Sequence, residues 1–155
     1  MQVIIRTFLL SVWISISLIA NSQCTEWTNP TPETGYTIFS QLPCTGDTLR
    51  ILDFEVWQSE AYTIPNALEG ATYEFNHCEG PNANSWTPEY TVIAPSGNVE
   101  TFGEGAGCSI TWTASESGDY LVVVNEADNC GVEGTENNGF PAIITLANGV
   151  HCPLP

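Results

Sequence analysis

The sequence predicts an all-β fold, a two-sheet antiparallel sandwich of jelly-roll-like form stapled by disulfides. Three observations carry that expectation. After residue 22 no long amphipathic helical period occurs. Short runs of period-two alternation recur instead, each closed by Gly, Pro, Asn or Ser. Six cysteines in a chain of 155 residues, none in a C-x-x-C spacing, fit a disulfide framework better than a zinc or redox motif.

Residues 1–22 carry the features of a secretory signal peptide. Arg6 is the positive n-region, TFLLSVWISISLIA the apolar stretch, and Ala20-Asn21-Ser22 the small-residue cleavage site. The competing transmembrane anchor needs about 20 apolar residues, more than follow Arg6 here. A lipid anchor on Cys24 fails because Asn21-Ser22-Gln23 lacks the leucine and small residues of a lipobox, and it would leave an odd number of cysteines. Cleavage therefore leaves residues 23–45 as an N-terminal arm rich in Pro and Thr, and residues 46–155 as the sandwich domain.

Strands are expected near Tyr36–Ser40, Thr48–Gln58, Ala61–Ile64, Ala71–His77, Glu89–Ala94, Val99–Phe102, Ser109–Ala114, Tyr120–Asn125 and Ala142–Leu146. Alternation puts Tyr73 and Phe75 on one face, as it does Tyr90, Val92 and Ala94, and Ile110, Trp112 and Ala114. Tyr120, Val122 and Val124 share a face, but Leu121 and Val123 make that strand apolar on both sides, as expected of a central, doubly covered strand. Between Ile51 and Leu52 the apolar parity shifts, which predicts a β-bulge. Gly70, Gly97 and Gly118 fall in turns that call for positive φ. Eight or nine strands in so short a span imply two sheets, since one sheet could not bury both its faces.

An exported protein meets an oxidising compartment, where an even set of cysteines forms bridges. Cys24, Cys44, Cys78, Cys108, Cys130 and Cys152 allow 15 pairings. Local closure favours Cys24–Cys44, Cys78–Cys108 and Cys130–Cys152, each restricting the unfolded chain by about 3 kcal/mol. His77 and His151 adjoin cysteines and are expected to flank strand-end bridges rather than to bind a metal.

Eighteen acidic side chains face two basic ones, Arg6 and Arg50. Nucleic acid and anionic membranes are excluded as partners, because nothing would neutralise their phosphates. The acids are scattered, which suits a solvated surface and discourages edge-to-edge strand pairing. No EF-hand run occurs, so no cofactor is expected; Glu126 and Asp128, with Asn125, Asn129, Glu133 and Glu136 nearby, are the best calcium ligands the chain offers. No nucleophile elbow and no local carboxylate pair is present, so no catalytic residue is assigned. Trp112 and Tyr120 belong to the core. Trp86 in a polar loop, with Tyr90 and Glu104, is the candidate ligand contact, since an exposed indole stacks on saccharides or peptides. Trp57 and Trp27 are lesser candidates.

The order of signals in EGATYEFNHC (69–78), SWTPEYTV (85–92), the Ser96-Gly97-Asn98 turn, CSITWTA (108–114) and SGDYLVVV (117–124) resembles the disulfide-bearing β-sandwich modules of bacterial secreted and surface proteins, relatives of the pre-peptidase C-terminal (PPC) domain. The resemblance covers about residues 60–147. It implies a jelly-roll-like accessory, adhesive or ligand-binding module rather than a catalyst. Relatives tend to carry an aspartate where this chain has Thr87, and an Asp-Asp pair where it has only Glu104, which weakens any calcium site of that kind. The expected function is a secreted, non-catalytic binding or adhesion module, working outside the cell or in the periplasm on an extracellular or cell-surface protein or glycan, as a subunit of a surface assembly. A calcium-dependent carbohydrate-binding protein and a small secreted hydrolase are the alternatives.

Overall fold

The computed structural model describes residues 23–30, 35–104 and 107–152. The expected signal peptide lies outside them. Among the described residues eight strands form two antiparallel sheets: β1 (Thr48–Arg50), β2 (Glu60–Ala67), β3 (Thr72–Asn76), β4 (Pro88–Ile93), β5 (Val99–Glu104), β6 (Ser109–Thr113), β7 (Gly118–Glu126) and β8 (Ala142–Ala147). One sheet has the order β1-β8-β3-β6 and the other β2-β7-β4-β5. First strand pairs with last, second with seventh, third with sixth and fourth with fifth, as in one long hairpin folded over and wound into two layers. That is the jelly-roll order, and the sandwich is as the alternation predicts.

The inward residues follow the period-two expectation. Tyr62 and Ile64 of β2, Tyr90 and Val92 of β4, and Tyr120, Val122 and Val124 of β7 face Tyr73 and Phe75 of β3, Trp112 of β6 and Ile143 of β8, all buried. Aromatic rings bridge the layers: Tyr62 to Phe75 at 5.2 Å between centroids, Phe75 to Tyr90 at 6.3 Å, and Trp112 to Tyr120 at 6.2 Å. Such offset and edge-on pairs add to area burial by about 1 kcal/mol each. β7 sits between β2 and β4, and its outward Val123 is buried too. The N-terminal arm packs on the neighbouring outward residue, Leu121. Gly35 packs so tightly that an added Cβ would lie 2.5 Å from the Leu121 side chain.

The arm also closes the free edge of β2. Asn29 and Tyr36 make parallel bridges to Glu60 and Tyr62, through Ala61 N–H to Asn29 O at 3.0 Å and Tyr36 N–H to Ala61 O at 2.7 Å. An unpaired edge is a template for aggregation, and this one is occupied.

Three expectations require correction. The run Tyr36–Ser40 forms only the Tyr36 bridge, and of Thr48–Gln58 only Thr48–Arg50 is strand, with Trp57 bridging Asn137. No bulge lies at Ile51/Leu52: Leu52 is 67% exposed, and the chain there leaves one sheet to cross to the other. The parity shift falls where β1 has ended, and both Leu49 and Val56 still reach the one core. Bulges occur instead at Ile64/Ala67, Thr72/Tyr73 and Val92/Ile93. Finally, Cys78–Cys108 forms as expected, but the other two bridges are Cys24–Cys130 and Cys44–Cys152. Shortest sequence separation is the wrong guide here, because winding lays β1 beside β8 and brings the arm against the β7–β8 connection. Cys78 and Cys108 do meet locally, since the Asn76–Ser109 register puts them just past one ladder. Three bridges and no free cysteine are consistent with an oxidising, extracellular environment.

Candidate functional site

The two ends of the sandwich differ. At one, strands are joined by the tight turns 68–71, 94–98 and 114–117; Gly70, Gly97 and Gly118 there have φ of 78°, 86° and 144°. The other end gathers the connections 51–59, 77–87 and 127–141. Long connections held on a rigid scaffold are where binding residues concentrate. All the predicted site residues lie at or next to this end.

The loops there are laced together by side chains. Glu55 accepts hydrogen bonds from Asn82 Nδ2 at 3.2 Å and Asn137 Nδ2 at 2.7 Å, joining three connections. Arg50 pairs with Glu79 at 2.8 Å, Trp57 Nε1 donates to Gly134 O at 3.0 Å, and Asn29 of the arm donates to Glu133 at 3.3 Å. Asn138 is a buried hub, donating to Trp86 O at 2.8 Å and accepting from Ser85 N at 3.2 Å.

Beneath them lies a histidine whose importance its flanking cysteine obscured. His77 continues the inward series Tyr73, Phe75, His77 and is fully buried. Its Nδ1 is 2.5 Å from Asn138 O, so Nδ1 carries the proton, and Nε2 accepts from Tyr90 Oη at 2.6 Å. Burial pushes its pKa down to about 4, only partly offset by the Asn138 hydrogen bond. The same burial raises the Tyr90 pKa. The period-two pattern was the signal that could have marked His77 as a core residue. Gly139 has φ of 84°, and a Cβ there would meet His77 O at 2.2 Å and Glu79 O at 2.8 Å. Gly139→Ala is therefore expected to destabilise the fold by more than about 1 kcal/mol in urea unfolding, through strained backbone that cannot yield.

Glu60 is the other buried ionisable group that sequence reasoning missed, since one glutamate at a strand start carries no mark. It is 4% exposed and accepts from Tyr62 Oη and, at 2.8 Å, from Trp57 N. Burial is the main reason its pKa rises to about 7; these two hydrogen bonds pull it down and the charge of Glu133 adds to the rise. Tyr62 and Tyr36 titrate higher than usual, first through burial and then through the charge of Glu60.

The predicted contacts are placed as follows. Trp86 is 7% exposed, packed 5.9 Å from His77, with its indole N–H donated to Glu136 O at 3.0 Å. Only its edge reaches an open hollow of about 240 Å³ shared with Asn84, Thr87 and Pro88. Tyr90 is wholly inside the core, so neither aromatic is presented as a free stacking surface. Glu104 is exposed and lies opposite Glu89 across the β4–β5 ladder, an unfavourable like-charge pair. Glu89 also accepts from Cys24 N at 3.3 Å. Glu126 is engaged by Gln58 at 3.0 Å and Asn129 at 2.7 Å, while Asp128 stands exposed at φ 67°. Among the described residues no three His, Cys, Asp or Glu side chains are grouped to hold a metal. Trp27 and Trp57 are half-buried.

No protein-family model matches the chain, and no curated protein matches it. What the arrangement offers is a rigid polar surface of amides and carboxylates, with the His77–Tyr90 pair sealed below it.

Proposed function

We propose that the chain is an exported, non-catalytic binding or adhesion module that holds an extracellular or cell-surface protein or glycan with its long-loop end. One observation carries the reading. Glu55 ties Asn82 and Asn137 together, so three separate connections form one preorganised polar surface rather than independent loops. Preorganisation lowers the ordering cost of association. The likeness to PPC-type modules, read from the ordered motifs between residues 60 and 147, supports the same role. So does the inward placement of His77 and Tyr90, which leaves them out of reach of a substrate. The N-terminal segment supports export.

The test is a screen of the mature, oxidised protein against arrayed glycans and extracellular matrix or envelope proteins. A partner whose affinity drops at least tenfold in Asn82→Ala/Asn137→Ala, with melting temperature little changed, is the expected result. Retained binding in that variant would refute the surface, and turnover of a bound glycan or peptide would refute the non-catalytic assignment.

A further inference from the structure

A second, chemically different hollow lies at the short-turn end. It has a volume of about 190 Å³ and lies between residues 40–43, the β2 bulge, the β2–β3 turn and residues Thr145 and Val150. None of the ten residues lining it is charged, although the chain has 18 acids. Its floor is the phenol of Tyr73, nearly fully buried, whose oxygen accepts the Leu68 N–H at 2.9 Å. No acceptor for the hydroxyl proton is found among the described residues, so Tyr73 retains a donor at the floor. Asn66, Gln41 and Ser40 are exposed at the rim, and their side chains make no hydrogen bond to another described residue.

The backbone gives this hollow its shape. Pro65 cannot donate to the ladder, so β2 bulges at Pro65-Asn66, and Asn66 takes φ of 51°, a conformation that bulky side chains avoid. Asp119 holds it there by accepting the Asn66 N–H at 2.8 Å. Bulges of this kind re-aim side chains beside binding sites.

We infer that this hollow is a binding site for a neutral, polyhydroxylated ligand, one pyranose-sized saccharide unit. An anionic ligand is disfavoured by the charge of the whole chain, and a cationic one finds no carboxylate in the lining. A peptide would dock by strand pairing, but Pro43 and Pro65 lack the N–H groups that pairing needs. Their flat ring faces, with Leu42 and Leu68, suit the C–H face of a sugar ring, while the amides and the Tyr73 hydroxyl suit its rim of hydroxyls. This site is independent of the long-loop surface and lies at the opposite end of the sandwich.

The experiment is an amide-resolved NMR titration of the mature protein with neutral methyl glycosides of glucose, galactose, mannose and N-acetylglucosamine. At least one is expected to shift amides of Gln41, Asn66, Leu68 and Val150 together, at millimolar concentration. In Gln41→Ala/Asn66→Gly the affinity should fall about tenfold, from two lost hydrogen bonds. Glycine keeps the φ of residue 66 accessible, and both positions are exposed, so the fold is retained. Absence of clustered shifts for all four probes, shifts confined to the long-loop end, or unchanged affinity in the double variant would each overturn the assignment.

Discussion

Removing the Cys24–Cys130 bridge, as Cys24→Ser/Cys130→Ser, is expected to destabilise the protein by about 4 kcal/mol, and removing Cys44–Cys152 by nearly the same. The two bridges interleave in the chain, so with one intact the other closes a loop of about 42 residues, longer than the loop closed by Cys78–Cys108. Cys78–Cys108, with a separation of 30, should cost about 3.5 kcal/mol by the same relation. The first variant has a second consequence. Cys24 anchors the arm that pairs with β2, so its loss should also speed amide exchange at Ala61 and Thr63, which hydrogen-bond to the arm. Urea unfolding of the three double-serine variants measures the ranking. A Cys78–Cys108 variant weaker than the other two would contradict it, and peptide mapping without reductant checks the connectivity directly.

The second large effect is a pair of opposed pH dependences. Glu60 has a folded-state pKa near 7 against an ordinary 4.5, so between those values the folded protein holds a proton that the unfolded chain releases. Its contribution is fully present below about pH 4.5 and is lost as pH rises through 7. His77 runs the other way: with a pKa near 4 against 6.5, its contribution is present above pH 6.5 and lost as pH falls through 4. Each amounts to about 3 kcal/mol at most. Between pH 4.5 and 6.5 the two slopes cancel. Glu60→Gln keeps an acceptor for Trp57 N–H and Tyr62 Oη without the charge, so it should be more stable than the parent by about 3 kcal/mol at pH 8 and nearly equal to it at pH 4. In the shared window it should lose stability on acidification, by the His77 term alone. His77→Gln should lose stability on alkalinisation, whatever its absolute stability. Guanidinium unfolding at closely spaced pH values measures the slopes, and parallel profiles for the parent and Glu60→Gln would contradict the buried-acid account.

Much of this architecture is legible in local pattern. Tyr73/Phe75, Tyr90/Val92 and Tyr120/Val122/Val124 alternate inward as period two requires, and Gly70, Gly97 and Gly118 mark the turns they occupy. Leu121 and Val123 announced a covered central strand. Where local pattern failed, a distant segment decided the outcome. Residues 51–59 have apolar residues enough for a strand, yet they cross between layers because β1 must pair with β8 and β2 with β7. Trp86 sits in a polar loop and is nonetheless packed on His77, because Asn138, from a connection fifty residues on, closes over it.

The site followed the same division. That Trp86, Glu126 and Asp128 would fall in or beside connections, and Glu104 at a strand end, could be read from loop composition, and all four adjoin the long-loop end. That Glu55 would knit Asn82 to Asn137, or that Glu60 would be buried beside the arm residue Asn29, could not be read, since each rests on contacts between elements far apart in the chain.

By itself, then, the sequence determined the β character of the chain, its inward faces, its turns and the presence of staples, because strand periodicity and turn chemistry act over two to four residues. Only the tertiary structure decided which cysteines meet, which strands neighbour one another and which ionisable groups lose their water. Those outcomes depend on winding a long hairpin into two layers, which brings residues a hundred positions apart into contact and leaves no trace in any short window.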